Sequence, residues 1–166
     1  MKKNDFTLSK KLSFRKPSSF TAETFTINNF ATDVCSFLND SFKGYVDASE
    51  SVSSFDVGYI SICTDYITYF FKALVSYCGG VDTLFVHIET TADLKIHISV
   101  RSSAFASLTN DELRDVIRAA KDTGFIITTE RDGISLHREY KRSASLSVRA
   151  IRETSLYDRF VEMFFD

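Results

Sequence analysis

Apolar and polar residues recur along the chain with two different periods, which predict strands and helices interleaved in sequence. A period of two residues runs through 84–100, which we interpret as a β-hairpin with one solvated face. A second hairpin is predicted over 125–140, where Asp132-Gly133 would supply the positive φ angles of a two-residue turn. Two shorter alternating runs, 11–15 and 24–27, predict a third hairpin, and 146–150 predicts a further strand.

Helical spacing of apolar residues marks four other segments. The predicted helices cover residues 31–42, 60–77, 109–123 and a C-terminal stretch from about Ser155. The second of these is the most apolar and is stopped by Gly79-Gly80. The third begins with a capping box, in which Thr109 and Glu112 satisfy backbone donors of the first turn, and it ends at Gly124.

The remaining serine-rich segment, 47–56, follows neither period and is predicted to be a loop. Strands interleaved with amphipathic helices favour an α/β (α+β) two-layer sandwich, a mixed sheet with helices packed on one face. The length of 166 residues fits one domain. Its predicted parts are an N-terminal arm and hairpin (1–30), a core (31–140) and a C-terminal strand and helix (141–166).

Composition narrows the class of protein. Hydrophobic residues make up 44% and charged residues 25%, as in folded globular proteins. A net charge of −2 provides no positive field for a nucleic-acid backbone, so nucleic acid is not an expected partner. The basic residues near the N-terminus are interpreted as a solvated arm, with an anionic docking site as the alternative. The apolar stretch 59–78 contains Asp65 and Lys72 and is therefore not predicted to span a membrane.

Candidate chemistry is sparse. The three cysteines, Cys35, Cys63 and Cys78, lack paired metal-ligand spacing and all lie in predicted helix. We expect them to be buried free thiols in a reducing, cytoplasmic compartment. No P-loop, nucleophile elbow or zinc-protease motif occurs in the sequence. The expectation is therefore a protein without catalytic residues, cofactor or resident metal.

His87 and His97 are the metal candidates that remain. A tight turn near Thr91 would make them neighbours across the first hairpin, on its solvated face. Two imidazoles could share a metal ion, but no third ligand is evident. The alternative is a pair of solvent-facing histidines.

Two longer stretches carry a resemblance to a known family. They are FFKALVSYCGG at 70–80 and AAKDTGFII at 119–127. With the order of helices, glycines and hairpins over 31–140, they resemble the ATP-binding domain of histidine kinases and anti-sigma factor kinases. The resemblance implies the fold of those ATPases and a setting in bacterial signalling or sigma-factor control.

The functional residues of that family are mostly absent here. The family's magnesium-binding Asn falls on Ala73, and the polar residue one turn earlier falls on Tyr69. A methyl group cannot bind a hard cation. The Lys three residues after the Asn becomes Ser76, while the following ring survives as Tyr77.

A second nucleotide motif, Asp-x-Gly-x-Gly, is replaced by residues 101–105, and the family's second glycine-rich lid is missing. Arg101 cannot accept a hydrogen bond from adenine, and Phe105 fills space that glycine leaves open. The resemblance therefore implies a degenerate member that does not bind ATP in the family manner. The predicted remnant of the groove consists of Tyr66, Tyr69, Ala73, Tyr77, Arg101 and Ser103.

Three functions from different classes remain open. The first is a non-catalytic regulatory module that binds a protein partner, the second a small-molecule sensor using the reshaped groove, and the third an active ATPase or kinase. The tyrosine rings either line that groove or fill the space of the lost nucleotide. The C-terminal helix either caps the core or forms an interface, for a partner or a homodimer. The candidate interface residues are Tyr157, Phe160, Val161 and Phe165.

Overall fold

The computed structural model describes residues 22–52 and 58–142 of the chain. These residues form three α-helices, which we name α1 (Ile27–Ser41), α2 (Thr64–Cys78) and α3 (Asn110–Asp122). Their strands are β1 (Glu23–Thr26), β2 (Val46–Ser51), β3 (Gly58–Ile62), β4 (Leu84–Thr90), β5 (Lys95–Arg101), β6 (Ile126–Glu130), β7 (Gly133–Glu139) and β8 (Lys141–Arg142). A 3-10 helix, Ser103–Ser107, connects β5 to α3.

The main sheet has five strands in the order β2-β4-β5-β7-β6. Strand β2 is parallel to β4, and the other pairs are antiparallel, so the sheet is mixed. One face belongs to the buried core and includes Val86, Ile98 and Leu136. The predicted sandwich with its two hairpins is confirmed. We call the opposite, solvated side the open face; it carries Phe85, His87, Glu89, His97, Ser99, Arg101, Ser135, His137, Ile126, Thr128 and Glu130.

A smaller antiparallel sheet of three strands has the order β1-β3-β8. The predicted strand at 24–27 is confirmed with shifted bounds, since Ile27 already belongs to α1. Thr26 accepts a hydrogen bond from the Asn29 backbone N–H and so caps α1. The helix therefore begins at Ile27, four residues before the predicted start at 31. The predicted strands 11–15 and 146–150 and the C-terminal helix lie outside the described residues.

Two sequence predictions, those for the segments 47–56 and 60–77, are wrong. Residues 47–51 of the predicted loop belong to β2 (Val46–Ser51), because Val46 and Ala48 are buried and the strand pairs with β4 along its whole length. The helix predicted over 60–77 begins only at Thr64, because Gly58–Ile62 forms a strand that pairs with β1. Ile60 and Ile62 are buried at a spacing of two residues, a pattern that the helical spacing of later apolar residues concealed.

The turn between β6 and β7 also differs from its prediction. Among the described residues, positive φ angles occur at Leu94, Gly44 and Gly124, so Asp132-Gly133 is not the predicted turn type. Gly133 is required for another reason. A Cβ atom there would lie 2.1 Å from the Val100 carbonyl oxygen, so a side chain is excluded by the backbone of β5.

The cysteines are free and buried, as the sequence predicts, although Cys63 precedes α2 at its N-cap instead of lying within it. Burial, together with the charge of Glu50, raises the pKa of Cys35 to about 12, which keeps this thiol protonated and unreactive. Within the described ranges, no helix combines the length and apolar character needed to cross a bilayer.

Candidate functional site

The tyrosines of the predicted groove lie on α2, which packs against α3. Tyr69 and Tyr77 are partly buried against the core, Tyr66 is half-exposed, and Ala73 is only 7% exposed. The Tyr77 hydroxyl donates a hydrogen bond to Asp115 Oδ2 at 3.1 Å, which ties the two helices together. Burial raises the pKa of Tyr77, and the hydrogen bond to Asp115 raises it further.

Helix α3 itself starts as the sequence predicts. Thr109 accepts from the Glu112 N–H, and the Glu112 carboxylate accepts from the Thr109 N–H, each at 3.2 Å. This capping box fixes the start of α3, and Asp115 reaches Tyr77 from the second turn of that helix.

Arg101 is not part of the region around these tyrosines. It ends β5 on the open face, where its guanidinium binds Glu130 at 2.9 Å and Asp132 at 3.2 Å. Ser103 Oγ donates to Asp82 Oδ2 at 2.6 Å, near the end of α2. The structure therefore separates Arg101 from the tyrosines, and the six predicted groove residues do not converge on one site.

The segment after β5 is filled by its own side chains. Ser102 Oγ accepts from the Ala104 N–H at 3.1 Å and starts the 3-10 helix. Phe105 is 7% exposed and Ala104 is fully buried. An aromatic ring is thus packed into the core at the position where the resemblance would place the last glycine of the nucleotide motif.

The predicted pairing of His87 with His97 is wrong. Strands β4 and β5 are in a register that places His87 opposite Ser99 and Glu89 opposite His97. His97 is instead opposite His137 of β7, with stacked rings whose centroids are 5.5 Å apart. The register is centred on Asp93, where the Thr91 N–H bonds the Lys95 carbonyl, whereas a pairing of His87 with His97 would be centred one residue earlier.

His87 has a different neighbour, since its Nδ1 lies 2.9 Å from Ser49 Oγ on β2. Across the described part of the chain, no three His, Cys, Asp or Glu side chains are grouped to hold a metal ion.

The open face contains features that the sequence prediction missed. Phe85 and Ile126 are 54% and 64% exposed, and each stands at a solvent-facing position between two buried or half-buried neighbours. An apolar residue in the polar phase of an alternating strand was the signal that could have revealed both. A cavity of about 270 Å³ lies beside Phe85, lined also by Asp47, Ser49, Val86, His87, Ser99 and Arg101. The candidate interface residues Tyr157, Phe160, Val161 and Phe165 lie outside the described residues.

Comparison with known proteins gives matches among solved structures alone: no family model matches the chain, and no curated protein does. The catalytic domain of histidine kinase ThkA, in a nucleotide-free form, is 16% identical with a TM-score of 0.41, over 71% of this chain and 94% of that domain. The blue-light activated histidine kinase EL346 of Erythrobacter litoralis is 11% identical with a TM-score of 0.37, over 68% of this chain and 40% of the kinase. The histidine kinase domain of EL346, taken separately, is 9% identical with a TM-score of 0.39, over 74% of this chain and 68% of that domain.

Proposed function

We propose that this chain is a non-catalytic, cytoplasmic regulatory module that acts by binding another protein, in signalling or sigma-factor control. The observation that carries the proposal is the environment of Ala73. Its methyl group is buried on α2 at the position that the sequence resemblance assigns to the magnesium-binding Asn. A buried methyl offers no oxygen to a magnesium ion, so the phosphates of a nucleotide would lose their bridging cation.

The residues after β5 support the same conclusion for the adenine end of a nucleotide. Arg101 stands where the family's adenine-binding Asp is expected, and its donors are directed to Glu130 and Asp132. Phe105 is packed where a glycine would allow the backbone to approach the base. At neither end of the expected nucleotide site do these positions provide the group that the resemblance calls for.

A role in protein binding draws support from the exposed apolar residues. Phe85, Ile126 and Val81 are each more than half exposed. Large exposed side chains of this kind are enriched in contacts between proteins and cost free energy while they remain in water. The solvated side of the sheet, with Phe85 and Ile126, is the proposed partner-binding surface.

A small-molecule sensor is the second candidate function, and the cavity beside Phe85 favours it. The cavity volume of about 270 Å³ would hold a small polar molecule, with His87 and Arg101 as polar contacts. This location differs from the predicted groove around Tyr69 and Tyr77, where the bond from Tyr77 to Asp115 joins α2 to α3.

Thermal denaturation with added ligands separates these functions. A ligand at a hundredfold excess over its Kd stabilises a fold by about 2.7 kcal/mol, which raises the Tm of a domain this size by roughly 5–10 °C. The proposal predicts no rise with Mg-ATP or Mg-ADP. A rise with Mg-ATP would favour an active ATPase. A rise with another small molecule that is lost in Phe85→Ser but kept in Tyr77→Phe would favour the sensor.

A further inference from the structure

The two edges of the main sheet differ in how their backbone groups are bonded. At the β2 edge, the side-chain amide of Asn39 on α1 donates to the Ala48 carbonyl at 2.9 Å and accepts from the Ala48 N–H at 2.8 Å. The neighbouring outward N–H, that of Val46, bonds the Phe42 carbonyl at 3.1 Å. The amide of Asn39 thus takes the place of another strand at Ala48, and it closes the middle of this edge, which we call the closed edge, to pairing.

The opposite edge is β6, whose partner within 22–52 and 58–142 is β7 alone. In an antiparallel strand every second residue directs its N–H and C=O away from the neighbouring strand. As far as the described residues extend, strand β6 therefore presents a row of backbone groups that no neighbouring strand pairs with. Its side chains are also exposed, with the exception of Ile127, which is half-buried against the core.

The composition of β6 suits pairing. Four consecutive β-branched residues, Ile126, Ile127, Thr128 and Thr129, have high strand propensity. The run contains neither proline nor lysine, the residues that commonly protect an exposed edge. Strand β2, in contrast, carries Asp47 and Glu50 in addition to the Asn39 amide.

We infer that β6 pairs antiparallel with β6 of a second copy, which joins two five-stranded sheets into one. An antiparallel strand pair obeys two-fold symmetry, so two identical strands satisfy each other. Residues 126–129 are uncharged, so two copies do not repel at the centre of the contact. At the end of the strand, the charge of Glu130 is balanced by Arg101 at 2.9 Å.

The contact also covers apolar surface. Ile126 is 64% exposed on the open face, and a second strand beside it would shield its outer side. One strand of five residues is short, however, and the area it buries falls below the 1,200 Å² or so that is typical of stable complexes. The dimer is therefore expected to be weak, with a Kd between about 10 µM and about 1 mM.

Sedimentation of the full chain over that concentration range tests the inference. The wild type should form dimers, and Thr128→Lys should weaken dimerisation by at least about tenfold, because two-fold pairing brings the two added charges together. The matched control is Ser51→Lys, which adds the same charge to an exposed position at the closed edge. The control should dimerise like the wild type. Ile126→Lys is a second variant for the open edge, and far-UV circular dichroism checks that each variant is folded.

Amide hydrogen exchange locates the contact without any substitution. The outward amides of β6 should become more protected as the wild-type concentration rises, while the Ala48 amide should not change. A wild type that stays monomeric would overturn the inference, and so would a dimer that Thr128→Lys and Ile126→Lys leave unchanged. Equal protection of β6 at all concentrations would also overturn it, since another part of the same chain would then cover the edge.

Discussion

Each edge strand of the main sheet directs backbone N–H and C=O groups away from its neighbouring strand. The two strands differ in what those groups contact. On β2, a side chain from the helix layer occupies the free backbone groups, through the two bonds between Asn39 and Ala48. On β6, the described structure provides no such cover, and the strand is made of β-branched residues that favour pairing. Among the described residues, whether an edge strand is covered therefore depends on the side chains beside it and not on the fold itself.

A similar contrast separates the helix side of the sheet from the open face. On the helix side, Ala73 and Phe105 are packed into the core, and Tyr77 bonds α3 through Asp115. On the open face, Phe85 and Ile126 remain exposed. Within the described part of the chain, Phe85 and Ile126 therefore lie on the side of the sheet away from Ala73 and Tyr77 of α2.

The largest expected effect on the free energy of unfolding comes from a substitution at the centre of the main sheet, between its two edge strands. Gly133→Ala places a methyl group 2.1 Å from the Val100 carbonyl oxygen, so β7 must move away from β5. We expect the free energy of unfolding to fall by about 3 kcal/mol or more. Urea denaturation measures it, with the exposed Ser51→Ala as control. A loss below about 1 kcal/mol would show that the central strands yield easily.

An intermediate effect is expected from opening the closed edge. Asn39→Ala removes both bonds to Ala48 and leaves its N–H and C=O without them, which should cost about 1–3 kcal/mol of unfolding free energy. The control, Thr32→Ala on the same helix, removes one exposed bond to Glu50 and should cost less than about 0.5 kcal/mol.

The same variant sharpens the comparison of the edges in a second way. With β2 open as well as β6, molecules can associate through two different edges, which produces chains instead of closed dimers. Light scattering should therefore detect species larger than dimers for Asn39→Ala and none for Thr32→Ala. If Asn39→Ala is neither destabilised nor enlarged, the amide does not protect the edge.

The smallest effect belongs to the helix side. Tyr77→Phe removes the bond to Asp115 and should lower the free energy of unfolding by about 0.5–1.5 kcal/mol at neutral pH. The pKa of Tyr77 is raised in the folded protein, so this stabilisation is fully present below the unfolded pKa and is lost as pH rises through the folded value. The difference between wild type and variant should shrink above about pH 10. Tyr69→Phe, two turns earlier on α2, is the control; equal losses in both variants would contradict the assigned role.

The sequence allowed the layers of the fold and the edge strand β6 to be predicted, but not the strands β2 and β3. Alternation in 84–100 and 125–140 marks strands because one face of the sheet is buried. Strand β2 was not predicted because it is a polar edge strand in which only Val46 and Ala48 are buried. Its stability depends on pairing with a distant segment. Strand β3 was not predicted because its apolar residues continue the helical spacing of α2.

For the candidate site, local residue identity was informative and spatial grouping was not. The sequence alone shows that Ala73 and residues 101–105 lack the groups that the resemblance would place at those positions. The partners of Arg101 are the distant Glu130 and Asp132, and the residue opposite His97 is His137. Strand register determines both contacts, and register depends on turn geometry that the sequence did not reveal.

Calorimetric titration of the full chain with Mg-ATP measures directly whether this protein binds the nucleotide. No binding heat is expected at concentrations up to about 1 mM, because the resemblance assigns the magnesium ligand to Ala73, whose methyl is buried, and the adenine acceptor to Arg101, whose guanidinium is a donor. A Kd tighter than about 100 µM, equivalent to roughly −5.5 kcal/mol, would contradict it and would return the chain to the nucleotide-binding proteins that its sequence resembles.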